Sequence, residues 1–123
     1  MPVVRPTEAA LFEMHGARFS SYVSPSRGGE QLCAWRLDVP AATEGVAHRP
    51  SREEVVLVLE GALSVILDDD SCEAVAGDVV VVAAHSLVRI DGGPAGAAAW
   101  VTTTPGLEAV TLDGARIVPP WAQ

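Results

Sequence analysis

The imidazole of His48 and the adjacent carboxylates of Glu53 and Glu54 stand just before an aliphatic run, Val55–Leu59. Neighbouring side chains on a strand point to opposite faces, so only one of the two carboxylates can look into an interior. A carboxylate beside Val56 and Val58 is costly to keep ionised unless it is paired, and desolvation raises its pKa towards neutrality. His48, Arg36 or a bound cation would supply the partner. Without a cation, Glu54 and His48 in an apolar pocket have the makings of a general acid/base couple. The plainer alternative is a structural hydrogen-bonded pair or a solvated rim carboxylate. Arg36 has two readings: its planar donor fork anchors a ligand carboxylate on an inner face, or it pairs with Asp38 or a neighbouring Glu at the surface.

Other chemistry is sparse. No Ser stands in a Gly-x-Ser-x-Gly turn, no phosphate-binding Gly loop is present, and neither Cys33 nor Cys72 has a base beside it. Asp68–Asp70 lacks the alternating oxygen ligands and terminal Glu of a calcium loop and suits a solvated turn. Trp35, Trp100 and Trp121 are expected to pack, with Trp100 in a strand able to line a pocket and Trp121 in a tail that covers a barrel end or a partner.

The elements that must position these groups follow from size and pattern. The 123 residues carry 16 acidic against 8 basic side chains, a net charge of −8, and 49% are hydrophobic. That is one domain, large enough for an ordinary core. With eight Arg, no Lys and an acidic excess, the chain offers no positive field to a phosphate backbone or an anionic membrane. The two cysteines fit reduced thiols and a cytoplasmic location. Arg5, Glu8 and Glu13 interrupt what would be the apolar centre of a signal peptide. The densest apolar runs, Val55–Leu59 and Val79–Ala84, are strand-sized.

Short apolar runs alternate with turn signals from about Phe19 onwards, which is all-β spacing. In Gln31–Val39, Cys33, Trp35, Leu37 and Val39 share one side and Arg36 and Asp38 the other. Val55–Leu59 is apolar on both sides and calls for cover on both, by a second sheet, an N-terminal arm or a partner subunit. Glu60-Gly61 breaks the pattern and Ala62–Leu67 resumes it. Further strands are expected at Cys72–Val75, Val79–Val82, Leu87–Ile90, Ala97–Thr103, Leu107–Leu112 and Arg116–Val118, with Asp91-Gly92-Gly93-Pro94 closing the Leu87–Ile90 unit. Thr7–Met14 is read as a short amphipathic turn capped by Thr7. About ten strands fit a compact antiparallel barrel or jelly roll.

Within that order, His48, Glu54 and Gly61 resemble the first motif of the cupin superfamily: His-x-His, three or four residues, Glu, six residues, Gly. Pro50 stands at the second His. The second motif, Gly, five residues, Pro-x-Gly, two residues, His, is echoed from Gly77 to Val88, with Ala83, His85 and Val88 replacing Pro, Gly and His. The resemblance runs from about Leu32 to Thr103. It implies a cupin-type jelly-roll β-barrel with a short N-terminal arm: residues 1–30 as arm and first strand, 31–104 as the core barrel, and 105–123 as C-terminal strands and tail of the same domain. It selects Glu54 as the inward carboxylate and implies a homodimer. Many cupins hold Fe, Mn, Ni or Zn through three His and one Glu, of which His48 and Glu54 are kept here.

Two protein donors rarely hold a first-row ion. His85 lies in the bend that in cupins leads to the metal-facing strand, so an inward turn would give His48, Glu54 and His85, a two-His, one-carboxylate set. Three readings stay open. The first is a barrel that binds an apolar or aromatic small molecule without a tightly held metal, with Arg36, Val56, Val88 and Trp100 as ligand contacts. The second is a metal-dependent oxygenase or isomerase acting on a small organic acid, aromatic or polyketide-like metabolite. The third is a structural or regulatory scaffold with a filled lumen.

Overall fold

The computed structural model describes residues 3–123; Met1 and Pro2, at the start of the expected arm, lie outside the described residues. Ten strands occur: β1 (Ala10–Met14), β2 (Ala17–Val23), β3 (Cys33–Val39), β4 (His48–Pro50), β5 (Glu54–Leu67), β6 (Asp70–Val75), β7 (Val79–Val82), β8 (Val88–Thr103), β9 (Ala109–Thr111) and β10 (Arg116–Ile117). They form one curled antiparallel sheet. Its path runs β1-β2-β3-β8-β4-β9-β10, and β5 joins it through β8 while also pairing β6 and β7. This is the all-β jelly roll expected from the sequence. No helix among the described residues is long and apolar enough to cross a membrane.

The core comes from the inward positions of the long strands. Trp35, Leu37 and Val39 of β3, Val56, Val58, Leu63 and Val65 of β5, and Val88, Ala99 and Val101 of β8 are buried together. Each fully buried aliphatic side chain contributes about 1.5–3 kcal/mol relative to exposure. On β5 the inward set changes from even to odd numbers between Val58 and Leu63. Register shifts at Val58/Glu60 and Gly61/Leu63 make this possible. Gly61 sits at φ 71°, and a Cβ there would lie 2.1 Å from the Gly96 carbonyl oxygen. The break expected at Glu60-Gly61 is therefore a bulge inside one strand.

Two other expectations are corrected. Asp91-Gly92-Gly93-Pro94 does not end a strand; β8 runs through it. A Cβ on Gly92 would stand 2.3 Å from the Pro40 carbonyl oxygen, so the glycine admits a close backbone crossing. Thr7–Met14 is not an amphipathic turn: Pro6–Glu8 is a single 3-10 turn, and β1 follows. Leu11 lies on the exposed side of β1 beside Glu13, and this outward leucine hid the two-residue period. β1 and β2 then form a hairpin through His15-Gly16, at φ 52° and 80°, the backbone of a tight two-residue turn. On the outer side of the Val55–Leu59 run, Val55 and Leu59 are partly exposed beside Val79 and Val81 of β7.

Candidate functional site

Curling of the sheet leaves a cavity of about 150 Å³ at its centre. β3 contributes Trp35, Leu37 and Val39 to the wall, β5 contributes Glu54 and Val56, and β8 contributes Ile90 and Val101. These residues alternate along their strands, so the same two-residue period that builds the core also aims them inward. His48 and Pro50 of β4 complete one side.

Aromatic rings close one end. The C-terminal 3-10 turn Pro120–Ala122 carries Trp121 into the wall, where it stacks on Phe19 of β2 with ring centroids 3.6 Å apart and meets Trp35 edge-on at 6.4 Å. The tail is held there by backbone chemistry: the Ser21 hydroxyl donates to the Trp121 carbonyl at 2.6 Å, and the Ser26 amide donates to the Gln123 carbonyl at 3.2 Å. The indole N–H of Trp35 is the one buried side-chain nitrogen or oxygen without a partner among the described residues. An unmade hydrogen bond of this kind costs about 1–3 kcal/mol.

Three titratable side chains line the cavity: His15, His48 and Glu54. The carboxyl of Glu54 makes no hydrogen bond or ion pair among the described residues, and the residue lines the cavity. Desolvation by the apolar walls pushes its pKa up from 4.5 to about 7. The His48 ring does not satisfy it; His48 Nδ1 donates instead to the Val46 carbonyl at 2.7 Å. In a neutral ring that bond leaves Nε2 as an acceptor.

The remaining expected site residues lie elsewhere. Arg36 is on the outer face of β3, its Nε 3.2 Å from Asp38 and its Nη2 3.4 Å from Glu60, so the surface-pairing reading holds and the inner-face anchor is corrected. Trp100 also points outward, tilted against Tyr22 at 5.2 Å, because its position on β8 pairs with Arg36 rather than with an inward residue. Val88 is buried in the core but does not border the cavity, whereas Val56 does. His85 occupies a turn at φ 69° and is exposed. Its amide donates to the Pro50 carbonyl at 2.7 Å and its carbonyl accepts from Arg49 Nη1 at 3.0 Å, so the backbone is tied to β4 while the ring stays out of the cavity.

No protein-family model and no curated protein matches the sequence. Solved structures match the fold. An RmlC-like cupin from Shewanella frigidimarina superposes with a TM-score of 0.72 at 19% identity, over 86% of this chain and 92% of its own. KdgF from Halomonas sp. gives 0.72 at 15% identity, over 83% and 93%. Salicylate 1,2-dioxygenase from Pseudoaminobacter salicylatoxidans gives 0.67 at 21% identity, over 76% of this chain but 26% of its own, so the present chain spans about a quarter of that enzyme. The chain has the cupin fold.

The metal that this fold often carries does not fit the donors found in this chain. His48 and Glu54 face the cavity, Pro50 and Val88 stand at two motif positions, and His85 is turned away. Among the described residues no group of three or more His, Cys, Asp or Glu side chains is gathered closely enough to hold an ion. The expected set of His48, Glu54 and His85 is thus not assembled, and His15, the third titratable group on the cavity wall, is not gathered with His48 and Glu54 into a site either. What sequence reasoning missed in this chain is His15, Phe19 and the lumen-facing role of Trp35, whereas Trp121 was expected in a tail that covers a barrel end or a partner and does close one end of the lumen. Trp35 was legible from the alternation of β3; the arrival of Trp121 depends on tertiary docking of the tail.

Proposed function

We propose that this cupin barrel binds a small apolar or aromatic molecule in its lumen, without a tightly held metal. The composition of the lumen carries the reading: it is an open space with aliphatic and aromatic walls, relieved only by Glu54, two imidazoles and the hydroxyl of Thr43. An apolar cavity of about this volume accommodates a benzene ring. A scaffold would be expected to fill its lumen with side chains, and this one is not filled. One structural neighbour is named for action on salicylate, an aromatic acid. The volume of the lumen matches a single ring, but no Arg lines the wall to hold a carboxylate.

Trp35 and Trp121 in the wall make binding visible. Titration of the untagged protein with benzene, toluene and acetophenone is expected to change tryptophan fluorescence saturably, and metal analysis is expected to find less than one ion per chain. Absence of saturable binding by every single-ring probe would overturn the proposal. So would stoichiometric iron, nickel or zinc that disappears in His48→Ala.

A further inference from the structure

A shallower groove continues outward from the lumen. Met14, His15, Val46 and Ile117 border both spaces, so the lumen opens between the β1–β2 turn and the β9–β10 hairpin. Past this rim the groove is bounded by Leu112, whose side chain is 73% exposed near the tip of the β9–β10 hairpin. Tips of this kind ordinarily carry polar or glycine residues, as the following Asp113-Gly114 do.

Both sides of the outlet are built rather than loose. The β1–β2 turn has the backbone of a tight two-residue hairpin. The β9–β10 tip is cross-tied by Thr111 N–H to the Ala115 carbonyl at 2.9 Å, Gly114 N–H to the Thr111 carbonyl at 3.0 Å, and Ala115 N–H to the Asp113 carboxylate at 3.2 Å. A preformed groove loses little conformational entropy when it is filled.

Charge narrows the occupant. Of the eight Arg in a chain without Lys, none borders the lumen or the groove, while Glu54 borders one and Asp113 the other. An anionic ligand would meet two acidic side chains and no guanidinium or ammonium group.

Resting on the reading of the lumen as a small-molecule site, we infer that the ligand is elongated and not anionic: a ring-sized end lies in the lumen beside Glu54, and an apolar tail leaves past Met14 and Ile117 to lie along Leu112. The lumen alone has room for one ring, and the outlet gives the rest of the molecule a partly apolar path. Leu112 is then a specificity residue that measures tail length.

The test is calorimetric titration of the whole chain with acetophenone and its 4-alkyl derivatives from methyl to pentyl, in wild type and Leu112→Ser. Ketones do not titrate, so only length varies. In wild type the affinity should rise about threefold to fourfold for each methylene that enters the groove, the transfer value of a buried CH₂. Leu112→Ser should leave acetophenone binding unchanged, which also shows that the variant is folded, and weaken the pentyl compound about fivefold to tenfold. The matching 4-alkylbenzoates should bind at least tenfold more weakly than the ketones. Affinity that is flat or falls with chain length, equal losses for short and long ligands in Leu112→Ser, or benzoates that bind as well as ketones would each overturn this inference while leaving the lumen reading intact. Failure of acetophenone and all its derivatives would remove the lumen reading, and this one with it.

Discussion

Glu54 on β5 and Asp91 on β8 are both carboxylates on strands that wall the lumen, and the fold treats them in opposite ways. Asp91 lies on the side of β8 away from Ile90, where Arg89 donates from Nε at 3.0 Å and Nη2 at 2.8 Å and the Gly45 amide donates at 2.7 Å. The Arg89 hydrogen bonds pull its pKa below the usual aspartate value. Among the described residues Glu54 has no donor; it shares an apolar wall with Val56 and Pro50, and desolvation raises its pKa to about 7. Inward positions of β3, β5 and β8 are otherwise aliphatic or aromatic, so none of these three strands supplies a partner, and the His48 ring of β4 is turned to the Val46 carbonyl instead. An unpaired carboxyl in such a place opposes folding.

The largest expected effect breaks this asymmetry at Glu54. An unfolded glutamate titrates near 4.5 and the folded one near 7. Above pH 7 both states are ionised and the folded state carries the whole penalty. As pH falls from 7 to 4.5 the folded state takes up its proton first, so stability rises, and below 4.5 the penalty is gone. The difference is on the order of 3 kcal/mol. Glu54→Gln should therefore be more stable than wild type at pH 8 by up to that amount and equal to it at pH 4, as read by urea unfolding. Parallel stabilities across that range would mean that Glu54 has a partner after all.

Asp91 should show the opposite sign. Its folded pKa is lowered, so its contribution is present at neutral pH and disappears as pH falls below the ordinary aspartate value of 3.8. Asp91→Asn keeps an acceptor for Gly45 but turns an amide towards Arg89, with a loss of about 1–2 kcal/mol at pH 7. The gap between variant and wild type should close in acid. A constant gap would assign the loss to shape rather than charge.

Much of this contrast was legible in the sequence. The alternation of β3 placed Trp35 and Leu37 opposite Arg36 and Asp38, and the neighbour rule together with the cupin-like motif chose Glu54 over Glu53 as the inward carboxylate. Pro50 and Val88 already signalled a depleted donor set. Residues in turns and tails were not legible, because strand parity does not reach them. His85 could not be oriented from spacing, since its direction is set by a left-handed backbone and by hydrogen bonds to β4. Trp121 enters the lumen through contacts with Ser21 and Phe19, a hundred residues away in sequence. Trp100 was misjudged for a different reason: beside Ala97, Ala98 and Ala99, apolar on both faces of the strand, a large aromatic carries no mark of the face it occupies.

The smallest expected effect concerns Arg36, and it sharpens the line between inside and outside. Its partners are close, but Arg36, Asp38 and Glu60 are each at least a third exposed at the side chain, so solvent screens the pairs. Exposed ion pairs of this kind contribute about 0–1 kcal/mol. Arg36→Ala should therefore lower stability by less than about 1 kcal/mol, with a smaller loss in 0.5 M salt, roughly where the Debye length shrinks below 5 Å. Because the guanidinium stands on the far side of β3 from Trp35 and Leu37, acetophenone affinity should not change. A several-fold loss of affinity in Arg36→Ala would place the guanidinium within reach of the lumen, and the absence of cationic groups there, on which the exclusion of anionic ligands depends, would fall with it.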